Sequence, residues 1–477
     1  MPVLIFSLPL GFALVAYLIR SNTVRPWAVV AAAVVQMVCV GDGLRTPQGQ
    51  ALNGWLELDP LAKIVLGFTT ILFVACAAYL PGYLGQRSEK NNRTFCTCVL
   101  AFQGVLSVVA MAQHLGLLWV AMEASTLAAA PLIYFNRNSR SIEATWKYLL
   151  VGSVGIALAL LGTFFLGYAV LCVGKEPSLL ISELTAQAPS MSRSWLHVAY
   201  VVLLVGYGTK MGLAPMHSWK PDAYGEAPGV AGALLAGGLT SGAFLAILRI
   251  YHICSAAGEG AFAREPLIVL GLLSMLVAGV FMAQQRDYKR LLAYSSVEHM
   301  GILVFGIGIG KAAAFGTLLH LINNGLTKGV LFLSAANIHR AFGSKSTDEV
   351  SGAWGRVPVS ATLFLLGFFA ITGSPPFGPF ISEFTILSAA FKGGHYWLAA
   401  AFLTLLVIVF IGMGSAVLSV VQGKPTKIPD GASVAGERWL TVAPGIALLL
   451  LVLALGLYIP PPLSQLLREA SSWLEAT

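Results

Sequence analysis

Four ionisable residues stand inside runs of apolar sequence: Glu123 in LLWVAMEASTLAAAPLIYF, Lys210 in YVVLLVGYGTKMG, Lys328 in LLHLINNGLTKGVLFL and Glu383 in PPFGPFISEFTIL. A charge carried to bilayer depth costs about 2.5–3.5 kcal/mol on insertion scales. Four of them in one chain suggest a path for protons or small cations. Glu123 is read as a relay carboxylate and Lys210 as its partner, because a desolvated lysine can release its proton where an arginine does not. A change in their separation would drive a proton on or off the lysine. The plainer alternatives are a structural ion pair at Glu123 and a Lys210 that reaches to the interface. Apolar-leaning sequence from Trp195 onward precedes Lys210, which argues against the latter.

His320, Asn324 and Lys328 recur at i, i+4 and i+8. On a helix they share one face over two turns. Such a stripe suits a proton wire with a histidine that titrates near neutrality; its alternative is polar glue between helices. Glu383 follows a proline-rich break and is expected to be an exit acid, or else a cap on the helix after the break, a role that Ser382 also suits. Glu298 and His299 in KRLLAYSSVEHMGI make an adjacent acid–base pair, although neighbours on a helix point about 100° apart. His114, Lys147, His217 and Asp222 lie near predicted helix ends. His217 and Asp222 flank a break and could gate it.

The elements that must hold these groups are membrane helices. The chain has 477 residues, 57% hydrophobic and 10% charged, where a soluble protein carries about 25% charged residues. Apolar runs predict an all-α polytopic membrane protein with about fourteen spans: 3–19, 26–40, 61–80, 94–112, 115–135, 143–173, 195–214, 228–251, 266–284, 290–310, 312–337, 358–392 (broken), 396–421 and 437–459. The sixth and twelfth are long enough to tilt or break. The first lacks a basic leader region and reads as a membrane helix. Strand-like alternation is not evident, and a barrel is not expected. The cysteines at 39, 76, 96, 98, 172 and 254 read as small buried hydrophobes.

Loops after odd-numbered spans hold eighteen Lys and Arg residues, among them Arg25, Arg87, Lys220, Lys289, Arg340 and Lys427. Loops after even-numbered spans hold seven, Arg249 included. By the positive-inside rule the odd loops are cytoplasmic, so both termini face the other side. Two segments are punctuated at membrane depth: Pro215, with Pro221 and Pro228, after Lys210, and Pro375, Pro376 and Pro379 before Glu383. Such breaks are tolerated only against protein or a wet cavity. Two of them five spans apart predict inverted repeats. The organisation expected is 1–93 for the first three helices, 94–251 and 266–421 for the repeats, and 437–477 for the last helix and tail. No nucleotide, zinc, iron–sulfur or haem motif is evident, and no metal site or cofactor is assigned to the chain. It is expected to have no active site of its own, no nucleic-acid partner, and to draw energy from another gradient or a partner.

At these motifs the chain resembles the antiporter-like subunits shared by respiratory complex I, Mrp cation/proton antiporters and membrane-bound hydrogenases. The carriers are the Glu123 span, KMGLAPMHSWKPDAYGEAPG, KRLLAYSSVEHMGI, HLINNGLTKGVLFLSAANI and GSPPFGPFISEF. Within that family KRLLAYSSVEHMGI is most similar to the F component of hydrogenase-4-type and formate-hydrogenlyase-like complexes. The resemblance implies fourteen helices, two inverted five-helix repeats with helices seven and twelve broken, and a proton path along a central polar axis. Glu123 and Lys210 would be its Glu–Lys pair, Lys328 the connecting lysine and Glu383 the terminal acid. It implies a prokaryotic inner (cytoplasmic) membrane, other membrane subunits, and a hydrophilic redox arm carrying nickel–iron and iron–sulfur centres or flavin. The chain departs from the pattern in three places: Ser241 aligns with a lysine, Tyr224 with a histidine and Lys220 with an apolar residue. The expected function is proton translocation in a redox-driven complex. The alternatives are an Mrp-type cation/proton antiporter subunit, a non-conducting scaffold, or a membrane partner in inorganic carbon uptake.

Overall fold

The computed structural model describes residues 1–46, 49–87, 89–424 and 436–475. Lys427 lies outside the described residues, as do 476 and 477 of the last segment. The first helices are α1 (Pro2–Leu18) and α2 (Arg25–Arg45), then a short hairpin of β1 (Gln50–Ala51) and β2 (Leu56–Glu57), which the sequence did not predict. There follow α3 (Pro60–Leu84), α4 (Arg93–Met111), α5 (Leu115–Ile133), α6 (Ser139–Leu171) and the small α7 (Ile181–Gln187). α8 (Arg193–Met211) and α9 (Trp219–Glu226) flank the first break. α10 (Gly229–Leu234) passes through one π turn at 235–239 into α11 (Thr240–Ala256). The second half contains α12 (Gly260–Met282), α13 (Tyr288–Ile309), α14 (Lys311–Phe342), α15 (Ala353–Arg356), α16 (Pro358–Ile371), α17 (Gly378–Lys392), α18 (Tyr396–Val421), α19 (Trp439–Leu457) and α20 (Pro461–Glu475).

The sequence sets these boundaries locally. Asp59 caps α3, accepting from Ala62 N with Pro60 at the first helical position. Asn138 and Ser141 form a capping box that starts α6, which runs unbroken for 33 residues where a break was allowed for. Gly212 closes α8 at φ +78°, and a Cβ there would lie 2.5 Å from Lys220 Cδ, so the position needs glycine for both backbone and space.

Among the described residues ten helices are long and apolar enough to cross a membrane by length and composition. α1 and α16 are apolar but shorter. α8 and α14, at 19 and 32 residues, are long enough yet carry Lys210 and the His320–Lys328 stripe. α14 is the hub: it packs against α3, α10, α13, α16, α17, α19 and α20. It is buried on nearly every side, as a core helix must be when no face meets solvent or lipid.

Helix ends gather on two opposite faces. On one, Arg87 donates to Asn136, Asn136 to Glu226 O, and Lys345 pairs with Glu226 and Asp287. On the other, Arg249 donates to Ala110 O (2.8 Å) and Ala112 O and pairs with Asp59 (3.3 Å), which also accepts from Gln113. This corrects the loop placement of several cations. Arg249 is wholly buried within α11, Lys220 is wholly buried in α9, and Arg25 and Lys289 are 1% and 3% exposed. All four were drawn inward by acceptors that a hydropathy profile cannot see. Setting them aside leaves fifteen (18 − 3) odd-loop cations against six (7 − 1), so the asymmetry persists. The cysteines also differ from expectation: Cys76, Cys96 and Cys254 are buried, Cys39 and Cys98 only partly, and Cys172 is exposed just past the end of α6.

Candidate functional site

Lys210 ends α8 facing α5 and α6. It is wholly buried, and its Nζ donates to Thr126 Oγ1 while lying 5.0 Å from the Tyr148 ring centroid. Gly152 makes room for it: a Cβ there would sit 3.2 Å from the ammonium. Thr126 Oγ1 lies 3.2 Å from Glu123 Oε2, and Ser153 Oγ donates to Glu123 Oε1 at 2.8 Å. Glu123 and Lys210 therefore communicate through a hydroxyl and are not joined by an ion pair. Nor is Glu123 fully buried. Its position one turn before Thr126 sets it half-exposed on the flank of the bundle, between the exposed Val120 and Leu127.

Beyond the first break stands a second wholly buried lysine, Lys220. Its Nζ reaches Ser296 Oγ (3.1 Å) and Ser296 O (3.4 Å) and lies 5.9 Å from the Tyr224 ring centroid. Lys328 of α14 donates to Ser295 Oγ at 2.7 Å. Consecutive serines on α13 thus serve two lysines on different helices, because adjacent helical residues point about 100° apart. The analysis of the sequence missed both serines and did not place Lys220 among the site residues. The signal available was the departure itself, a lysine where the family resemblance expected an apolar side chain.

The line continues into histidines. Glu298 Oε2 lies 3.7 Å from His299 Nε2, so the neighbours do approach each other despite their angular separation. His299 Nδ1 and His320 Nε2 are 3.0 Å apart, and His320 Nδ1 is 2.9 Å from Ser382 Oγ. Ser382 does not cap α17. Its hydroxyl bonds Pro379 O within the helix (2.9 Å) and meets His320, and the N-cap position is Phe377, with no side-chain cap. Glu383, 6% exposed, stands beside it. Asn324 lies between His320 and Lys328, wholly buried, with neither end of its amide bonded to protein among the described residues.

The residues expected at helix ends lie apart from this line. Asp222 accepts from Lys147 (2.8 Å) and from Arg290, and Lys147 also pairs with Glu143 (2.6 Å). They line an open cavity of about 640 Å³ whose walls also carry Arg140, Glu226 and Lys345. His217 sits half-buried in the first break near Phe281 and Tyr294. His114 caps α5 through Nδ1 and stacks on Trp55 at 4.1 Å, a structural role. Pro215, Pro375 and Pro376 fall in the two interruptions, 212–218 and 372–377, where the sequence predicted them. Ser241 points its hydroxyl back to Gly237 O (2.6 Å) in the π turn, so it contributes no group to the line.

Comparison with known proteins agrees with this architecture. The chain is 35% identical over 413 residues to a hydrogenase-4 component F homolog of Methylacidiphilum infernorum, covering 86% of this chain and 85% of the relative. It is 30% identical over 415 residues to NADH-quinone oxidoreductase subunit N of Desulforudis audaxviator, covering 83% and 81%. Its fold matches a chain of the Mrp complex from Dietzia sp. DQ12-45-1b with a TM-score of 0.83 at 21% identity, over 100% of this chain and 96% of that one. Residues 112–409, which span the line of polar groups from Glu123 to Glu383, match the transmembrane family described as NADH:quinone oxidoreductase/Mrp antiporter, and the chain belongs to that family.

Proposed function

We propose that this chain is a proton-translocating membrane subunit of a redox-driven respiratory or hydrogenase complex, of hydrogenase-4 or NADH:quinone oxidoreductase type. The observation that carries the reading is the line of polar groups from Glu123 through Thr126, Lys210, Lys220, Ser296, Ser295, Lys328 and His299 to His320, Ser382 and Glu383. Glu123 and Lys210 form the first relay, Lys328 the connecting site, His320 and His299 the next, and Glu383 the terminal acid. Glu298 tunes His299. Lys147, Asp222 and His217 act at the cytoplasmic mouth of the path. Lysine fits the connecting positions because it can alternate between charged and neutral forms as neighbouring charge moves.

The line needs water to be continuous. Both ends of the Asn323 and Asn324 amides lack protein partners among the described residues. Buried polar atoms are nearly always satisfied, and a bound water is the partner such sites take. The second break supplies polar backbone against the same region, with Gly378 packed on Asn323 and Gly373 on Glu383.

Fourteen crossings follow if α1, α8, α14 and the α16–α17 pair are counted with the ten apolar helices. The packing of α4 on α5 and of α6 on α8 recurs as α12 on α13 and as α14 on α16 and α17, which supports inverted repeats over 94–251 and 266–421, with 1–93 and 437–477 outside them. Both termini are assigned to the non-cytoplasmic side of a prokaryotic inner membrane. Redox centres, whether nickel–iron, iron–sulfur or flavin, belong to a hydrophilic arm, and the half-exposed Glu123 marks a flank where another membrane subunit would seat.

Purification of the tagged chain from native membranes in mild detergent tests this. Iron–sulfur or nickel–iron subunits among the co-purifying chains, together with loss of proton movement in an assembled Lys210→Ala complex, are expected. Small cation-antiporter subunits with no redox partner would replace the reading with the Mrp-type antiporter that the family also contains.

A further inference from the structure

We infer that His299, His320 and Glu383 form a site for one divalent transition-metal ion of the zinc class. One donor atom from each lies within 4.8 Å of the other two. The residues come from three helices, α13, α14 and α17, and are 1%, 0% and 6% exposed. Each stands nine or ten residues from its helix end on the same face of the bundle (309 − 299, 320 − 311 and 392 − 383), about 15 Å deep at 1.5 Å per residue.

Distances and chemistry agree. Two imidazole nitrogens at about 2.0–2.1 Å from a tetrahedral zinc stand roughly 3.3 Å apart, and His299 Nδ1 and His320 Nε2 are already 3.0 Å apart. The other nitrogen of His320 is held: Ser382 Oγ lies 2.9 Å from His320 Nδ1, an outer partner of the kind that orients a ligating histidine. His299 Nε2 is buried without a hydrogen-bond partner among the described residues, with Glu298 Oε2 3.7 Å away. Glu383 Oε1 is buried with no protein hydrogen-bond partner among the described residues, so one carboxylate oxygen is uncommitted beside the two rings. Two imidazoles and one carboxylate favour zinc, cobalt or nickel over sodium, magnesium or calcium, which prefer oxygen. Three protein ligands leave a fourth position for water.

The site ties α17, the half-helix after the second break, to α13 and α14. Occupancy would engage the two nitrogens through which the histidines now meet. That consequence for transport rests on the proton-path reading; metal binding does not.

The experiment is cobalt titration of the purified complex, read by metal content and by the visible absorption of tetrahedral cobalt. Wild type is expected to take up one more ion per complex than the His320→Ala, His299→Gln and Glu383→Gln complexes, with zinc displacing it. No difference between wild type and these variants overturns the site. Should those variants fail to assemble, Ser382→Ala decides, since it keeps all three ligands: a tenfold or greater loss of affinity is expected, and unchanged affinity overturns the assignment. Proton flux on the same samples separates the two readings. A His320→Ala complex that loses cobalt but translocates normally keeps the metal site and removes His320 from the path. Normal wild-type translocation with no cobalt uptake keeps the path and removes the metal site.

Discussion

Lys210 and Lys328 are both wholly buried and both donate to a hydroxyl, yet their surroundings differ in kind. Lys210 faces the flank, where Thr126 passes its hydrogen bond to a half-exposed glutamate. Lys328 faces the centre, where Ser295 Oγ (2.7 Å) and Leu292 O (3.5 Å) receive it, and Glu298 and Lys220, the latter on the adjacent Ser296, are among the titratable groups around it. In the proposed proton path, a carboxylate on the rim would respond to charge in a neighbouring subunit and the histidine pair enclosed by three helices to charge within its own chain, so that Lys210 would couple outward and Lys328 transfer inward.

The largest effects expected come from removing the ability to deprotonate. Lys210→Arg and Lys328→Arg keep the charge permanently, and each is expected to lower proton translocation about 100-fold or more in an assembled complex, the scale of a lost acid–base group. If Lys328→Arg translocates normally, the inner lysine is a fixed charge and the contrast collapses. Arg249→Met should act on assembly instead: it leaves the buried Asp59 carboxylate without its cation, and breaking a buried pair costs about 3–5 kcal/mol, so the amount of folded chain recovered from membranes should fall. Thr126→Val severs the hydroxyl that links Lys210 to Glu123 and should slow translocation about tenfold, whereas Thr126→Ser should restore it; equal rates for the valine and serine forms would mean that water bridges the pair directly. Ser295→Ala should cost less, because Leu292 O remains for Lys328. Smallest in consequence is a labelling result: Cys172, exposed just past the end of α6, should react with a membrane-impermeant maleimide from the non-cytoplasmic side, and reaction only from the cytoplasmic side would reverse the assigned orientation.

Much of this was legible in the sequence. The helices, both breaks and the burial of Lys210, Lys328 and Glu383 follow from apolar run length and proline placement, which are local properties. α8 and α14 show the limit of that reasoning, since the residues that give them chemistry also make them less apolar than the ten helices that qualify on composition. What the sequence hid was lateral position. Nothing in the Glu123 span says that its glutamate faces the flank, because the run is apolar all round. Nothing in YSSVEH says that its serines reach lysines from two other helices. Arg249 and Lys220 looked like loop cations because their acceptors, the carbonyls at 110 and 112 and Ser296, are remote in sequence. Spacing along one helix predicts which residues share a face, but not what that face meets.

Arg249 also bears on how the protein is made. Its guanidinium cannot rest among lipid tails without the acceptors that surround it, and every one of them, Asp59 and the carbonyls of Val109, Ala110 and Ala112, lies earlier in the chain. During synthesis those groups leave the ribosome more than a hundred residues ahead of Arg249. The receptor for the charge is therefore in the membrane before the charge arrives, and the fold of the amino-terminal helices becomes a precondition for inserting α11.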